Sequence, residues 1–316
     1  MNNKSQEKIL ITGGAGYIGS MLTPALLTLG YKITVFDNLL YNQSSLLECC
    51  SFDNFEFIKG DITDYNLINP LLKKHDIILP LAAVVGASAC ENKKNYSTLV
   101  NRDSYINLLK NLSPNQKVIF PTTNSGYGIG SKESFCTEKT PLKPVSIYGQ
   151  HKVEIEKLFL DSGNGITLRL ATVFGMSPRM RTDLLVNNFV LKALKDRSIV
   201  LFEENFRRNY IHIKDIVNVF LFSIDNYKTM NNEPFNVGLS SANLTKKQLA
   251  EKIKEYIPNT YIHSAPIGED PDKRDYVVSN EKIESIGWSA SFDLEMGIKE
   301  LIKGYKIINP NIFSNA

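Results

Sequence analysis

Gly13-Gly14-Ala15-Gly16-Tyr17-Ile18-Gly19 follows the apolar run Lys8–Thr12 and opens a stretch of helical periodicity, Tyr17–Leu29. Glycine serves where a strand turns tightly into a helix and where backbone must approach a ligand closely. The N–H groups at such a helix start carry partial positive charge and suit phosphates. A third element, Lys32–Phe36, reads as the next strand. Strand, glycine turn, helix and strand together form the first βαβ unit of a parallel sheet that can hold a dinucleotide.

Working outward, short apolar runs continue to alternate with amphipathic stretches, as in a parallel α/β sheet. Further expected strands are Phe55–Lys59, Asp76–Leu79, Lys117–Phe120 and Thr167–Leu170. In Val153–Leu160 the spacing predicts a helix with Val153, Ile155, Leu158 and Phe159 on one face. After Leu170 turns become denser. Asn209–Ile213 reads as a strand, Ile216–Phe222 as a helix and Pro234–Gly238 as a last strand, all three returning to the sheet. Ser240–Ala316 reads as a small helical lobe ending in the apolar stretch Leu301–Ile308. The expected division is a dinucleotide-binding domain over 1–170 and 211–238, and a second lobe over 171–210 and 239–316.

The 316 residues suffice for such an arrangement. A net charge of +3 is too small to argue for a nucleic-acid partner, and no apolar run has the length of a membrane span. Cys49, Cys50, Cys90 and Cys136 lack metal-ligand spacing, so no metal is expected. The polar start Met1–Lys8 does not read as a targeting segment, and we expect a cytoplasmic protein with reduced thiols.

Asp37 ends the second strand, eighteen residues after Gly19. A carboxylate there accepts hydrogen bonds from the adenosine ribose and repels the extra phosphate of NADP, which points to NAD. The other reading is a strand-end Asp that caps the turn with Asn38. Asp61, also just past a strand, reads either as an adenine contact or as a helix N-cap.

Tyr148 and Lys152 stand four residues apart, one turn along a helix face, and Thr123 precedes them by twenty-five. Lowering a tyrosine pKa from ~10 by about three units requires about 4 kcal/mol of preference for the anion. A lysine ammonium ~4 Å away supplies about that at an effective dielectric near ~20. Such a tyrosine removes a proton from an alcohol while a hydride leaves the same carbon, with Thr123 bonding the same oxygen. Set beside the glycine turn, this reading outweighs an ordinary surface Tyr/Lys pair.

These residues resemble the extended short-chain dehydrogenase/reductases, in particular the nucleotide-sugar epimerase/dehydratase family. The likeness runs through Gly13–Gly19, Asp37-Asn38-Leu39, Asp61-Ile62, Leu81-Ala82-Ala83, Asn101, Thr123 with Tyr127-Gly128, and Tyr148 with Lys152. It continues in Arg208–His212, Asn236-Val237-Gly238, Arg274-Asp275 and Gly287-Trp288. It implies a Rossmann-type doubly wound parallel sheet with a smaller, mainly helical C-terminal substrate lobe. Carried over by residue, it implies NAD held by Gly13, Gly16, Tyr17, Ile18, Asp37, Asn38, Asp61, Ile62, Leu81, Ala82, Ala83, Asn101, Tyr148 and Lys152. A nucleoside diphosphate-sugar would meet Thr123, Asn124, Ser125, Thr172, Arg179, Asn187, Arg208 and Arg274, with Tyr148, Lys152 and Thr123 catalytic. Guanidinium forks at Arg208 and Arg274 suit phosphate oxygens, although either could be a structural ion-pair member. The resemblance also implies a homodimer through helices around Asn101–Leu109 and Val153–Leu160.

Family dehydratases place Asp and Glu directly after the threonine, where this chain has Asn124 and Ser125. Neither is an acid, which argues against dehydration and leaves reversible hydride chemistry at the sugar C4. Thr123–Gly130, together with Ser177–Asn187, resembles the bacterial GDP-D-glycero-α-D-manno-heptose 4-dehydrogenases of capsule assembly; Thr172 departs from the general epimerase pattern. The resemblance therefore implies oxidation of a GDP-heptose, with 4-epimerisation as the alternative. Cys136 reads as a base beside a ketone or as a packing thiol, and His151 as lying off the Tyr148/Lys152 face. A non-catalytic NAD sensor would be expected to lose the tyrosine or the lysine, and both are present.

Overall fold

A computed structural model of the chain describes residues 7–130, 134–265 and 274–309. The start Met1–Gln6 and the residues beyond 309, on which part of the reading above falls, lie outside the described residues. In chain order the strands are β1 (Lys8–Thr12), β2 (Lys32–Asp37), β3 (Phe55–Lys59), β4 (Ile77–Pro80), β5 (Lys117–Thr123) and β6 (Ile166–Leu170). They continue with β7 (Thr172–Phe174), β8 (Ser198–Leu201), β9 (Arg207–His212), β10 (Pro234–Val237), β11 (Asn243–Thr245) and β12 (Tyr261–Ser264). β10-β6-β5-β4-β1-β2-β3 form a seven-stranded sheet whose neighbours all pair in parallel. The order reverses between β1 and β4, and a doubly wound sheet opens its ligand crevice at that point.

Alternation along β1 shows why the sheet is covered on both faces. Ile9 and Ile11 pack with Leu22 and Leu26 of the Gly19–Thr28 helix and with Ile216 and Phe220 of the Ile213–Asp225 helix. Leu10 points the other way, to Tyr105 and Leu108 of the Ser104–Asn111 helix and to Ile155 and Phe159 of the Ile147–Asp161 helix. Burying such side chains contributes ~1.5–3 kcal/mol each, so both faces are held.

Three expectations change. The Ile147–Asp161 helix begins six residues before Val153, with Ser146 accepting from Gly149 N–H at 3.2 Å as its cap. Its buried stripe is Lys152, Ile155, Glu156 and Phe159, while Leu158 is exposed. β9 does not join the large sheet. It lies between β11 (antiparallel) and β7 (parallel) in a sheet of its own. The Ser240–Ala316 segment contributes strands as well as helices, β11 on β9 and β12 on β8. Around them a separate cluster gathers Phe174, Met180, Val190, Leu249, Ile298 and Leu301, and Tyr17 from the glycine turn belongs to it.

Candidate functional site

A single cavity runs from the glycine turn, past the carboxyl ends of β1, β2, β4 and β5, to the start of the Ile147–Asp161 helix. Gly13 has φ +71°, and a Cβ there would come within 2.6 Å of the Ala82 backbone. At Gly19 a Cβ would come within 2.5 Å of Gly14, so the helix could not start so close to the turn. The sequence therefore keeps a bare backbone cradle at the switch point, which fits a dinucleotide.

Gly13, Gly16, Tyr17, Ile18, Asp37, Asn38, Asp61, Ile62, Leu81, Ala82 and Ala83 all line this cavity. The Asp37 carboxylate accepts from Ala15 N–H at 3.0 Å and Leu39 N–H at 2.8 Å, and its burial nevertheless raises its pKa. Asp61 accepts from Asn38 Nδ2 at 2.9 Å, Tyr96 OH at 3.0 Å and Thr63 Oγ1 at 2.7 Å. Burial disfavours its charge, but these bonds outweigh it and hold the pKa low. Asp61 is not the helix cap; Asp64 is, accepting from Asn66 N–H at 3.1 Å. Asn101 does not line the cavity. It grips Val84 from behind, accepting from its N–H and donating to its C=O, both at 2.8 Å, and so fixes the loop after β4.

Thr123, Ser125, Tyr148, Lys152, Thr172 and Arg274 line the same cavity, as does Arg179, which sits beside Ser20 and Tyr41. β5 runs three residues past Phe120 and carries Thr123 to the cavity at its last position. Arg274 Nη1 donates to Ser125 Oγ. Ser125 Oγ lies 2.8 Å from Thr123 Oγ1, and with Arg274 donating to it the serine hydroxyl can pass its own proton to the threonine oxygen. Thr123 Oγ1 also accepts Ser125 N–H at 3.1 Å, and in that arrangement the threonine proton is the one offered to a substrate oxygen.

Lys152 Nζ donates to Pro121 O at 3.0 Å and lies 4.5 Å over the Phe120 ring and 6.0 Å from the Tyr148 ring centre. Burial pushes this lysine down to about 7. Burial also pushes Tyr148 up to about 12, against the pull of Arg181 and Arg274. The expected lowering of Tyr148 by Lys152 is therefore absent in the protein alone, since loss of water outweighs the charges around the phenol.

Several residues stand one layer back. Arg208 is buried against the Tyr276 ring at 5.8 Å and donates to Arg207 O at 3.0 Å, outside the lining. Asn187 also stands outside it: Nδ2 donates to Tyr17 OH at 3.3 Å and Oδ1 accepts from Gly175 N–H at 3.0 Å. Asn124 is fully buried beside Thr123, and neither side-chain atom has a hydrogen-bond partner among the described residues. Cys136 packs with Tyr127, Tyr276 and Val278, does not itself line the cavity, and burial raises its thiol pKa. His151 is buried, off the lining. Tyr41 and Tyr96 line the cavity without having stood among the expected contacts, and Arg181, which the sequence left between a phosphate contact and a loop residue, lines it too. Arg181 is held by Asp183 at 2.7 and 2.5 Å, and the doublet Arg179/Arg181 was the signal in the sequence.

Comparison with known proteins supplies the context for this geometry. UDP-glucuronic acid decarboxylase 1 of Arabidopsis thaliana is 27% identical over 96% of this chain and 71% of its own length. UDP-glucose 4-epimerase of Lactobacillus helveticus is 28% identical over 89% and 91%. The crystal structure of the Thermotoga maritima UDP-glucose 4-epimerase with UDP-glucose superposes with a TM-score of 0.82 at 25% identity, covering 95% of this chain and 98% of that one. A family model, that of the NAD dependent epimerase/dehydratase family, matches residues 9–238. The chain belongs to that family of nucleotide-sugar enzymes, and its cofactor is NAD.

Proposed function

We propose that this protein oxidises C4 of a GDP-linked heptose, GDP-D-glycero-α-D-manno-heptose or a close sugar, and releases the 4-keto product for surface polysaccharide synthesis. The observation that carries this reading is the pairing of Thr123, Tyr148 and Lys152 on one cavity wall with non-acidic followers of Thr123. Asn124 is sealed in the protein and Ser125 is engaged by Arg274, so neither can eliminate water.

NAD, held by the glycine turn, would supply the acceptor for the C4 hydride and a positive charge beside Tyr148. Tyr148, as phenolate, takes the C4 hydroxyl proton, and the carbon–oxygen bond becomes a ketone. Thr123 donates to that oxygen, a direction favoured by the Arg274 donation to Ser125 and the Ser125 N–H donation to Thr123. Lys152 favours the phenolate by charge and holds the nicotinamide ribose. In this reading Asp37 and Asp61 hold the adenosine, and Arg274 with Arg208 behind it faces the sugar diphosphate. The division into an NAD domain (1–170, 211–238) and a sugar lobe (171–210, 239–316), and a homodimer, belong to the same proposal.

The epimerase and decarboxylase relatives support a second reading in which the 4-keto sugar stays bound and is reduced again or loses carbon dioxide. The assay combines purified protein and NAD with GDP- and UDP-sugars, following NADH absorbance and the products by NMR. Stoichiometric NADH with a GDP-4-keto-heptose is expected. A C4-inverted sugar without net NADH, or a pentose from UDP-glucuronate, would replace the dehydrogenase reading by one of the others.

A further inference from the structure

Arg179 lies in the segment expected to face the sugar nucleotide, but its surroundings belong to the cofactor end. Its N–H donates to Ser20 Oγ at 3.4 Å, on the helix that opens at the glycine turn. Ser177 Oγ donates to Tyr17 O at 2.8 Å and lies 2.9 Å from Ser20 Oγ, which itself reaches Tyr17 O at 3.5 Å. The backbone of Arg179 is thus tied through Ser20 and Ser177 to the carbonyl of Tyr17 in the turn itself. The guanidinium sits 4.7 Å over the ring of Tyr41, four residues after Asp37. Arg179 is only 3% exposed. Arg179 and Tyr41 line both the main cavity and a shallower outer groove containing Pro178 and Ser45, and so form part of the wall between the two. Asp183 pairs with Arg181 and also acts on Arg179, so one carboxylate stands against two guanidiniums here. Burial and the neighbouring Arg181 lower the Arg179 pKa, the condition under which a guanidinium gains most from an anion.

We infer that Arg179, steadied by Tyr41, is a clamp on the pyrophosphate of the dinucleotide and not a contact for the sugar diphosphate. The inference rests on the family cofactor and stands whichever C4 reaction the enzyme performs. Calorimetric titration of the cofactor-free protein with NAD, ADP-ribose, adenosine and GDP tests it. Arg179→Met should weaken NAD and ADP-ribose about 10- to 100-fold, the range of a charge-assisted hydrogen bond, and leave adenosine and GDP within about twofold. Tyr41→Leu should give a smaller loss for ADP-ribose, and Tyr41→Phe, which keeps the ring, close to none. These Tyr41 variants keep the test open should Arg179→Met fold poorly. A loss confined to GDP, an equal loss for GDP and ADP-ribose, or no loss for ADP-ribose would overturn the assignment.

Discussion

Burial moves Tyr148 and Lys152 toward each other on the pH scale, the phenol up to about 12 and the ammonium down to about 7. The protein by itself thus holds the tyrosine proton tightly at neutral pH, and positive charge must be added before Tyr148 can act as a base. The phenolate fraction grows as pH rises, so oxidation should speed up with pH until the holoenzyme pKa is passed. Phenolate absorbance during a pH titration should show a Tyr148 transition near about 12 in the cofactor-free protein, lost in Tyr148→Phe. NAD should move it downward, and Arg181→Met upward, because Arg181 is among the charges opposing the shift. In the same Tyr148→Phe variant turnover should fall ~10²–10⁴-fold with NAD affinity retained. A Tyr148 transition unmoved by NAD would sink this account of the base.

Behind the catalytic helix, Glu156 meets Arg169 of β6 at 2.6 Å and accepts from Thr122 Oγ1 at 2.7 Å, all three residues buried. This pair sets how the Ile147–Asp161 helix sits across β5 and β6, and hence that Tyr148 looks toward Thr123. Glu156→Leu strands the guanidinium and should cost ~3–5 kcal/mol in urea unfolding; Glu156→Leu with Arg169→Met should recover much of that. Equal losses in the single and double variants would show that the pair is not the stabilising unit. The helix was only partly legible in the sequence, for a related reason. Its buried stripe includes Lys152 and Glu156, polar residues that apolar periodicity passes over. Pro121 likewise stopped the reading of β5 short of Thr123, although parallel pairing continues through Pro121 opposite Leu168. The glycine turn and the Tyr148/Lys152 spacing were legible because local geometry alone fixes them. The placing of Arg179 and Asn187 was not, since it depends on how one loop docks on a distant turn.

Across the whole molecule, Glu300 on the Leu294–Gly304 helix joins His212 Nε2 at 2.6 Å, Lys214 Nζ at 2.8 Å and Met176 N–H at 3.2 Å. Burial opposes its charge, yet the bonds to His212 and Lys214 outweigh it and hold Glu300 at about 2. A carboxylate lowered in this way contributes stability that is complete above its ordinary value and is lost as pH falls toward about 2. Glu300→Gln should therefore lower stability at neutral pH and flatten its decline between ~4.5 and ~2, read from unfolding midpoints across that range. An unchanged acid slope would remove Glu300 from the account.

Among the described residues no helix is long and apolar enough to cross a membrane. The two ends of the fold meet instead at Asn187. Its side chain donates to Tyr17 OH, Tyr17 donates to Gly175 O at 2.7 Å, and Tyr305 OH donates to the Asn187 carbonyl at 2.9 Å. A polypeptide emerges from the ribosome in order, so Tyr17 is made early and Tyr305 nearly three hundred residues later. One of the first cradle residues to be translated thus rests on an asparagine whose own last contact is made only when the chain is nearly finished.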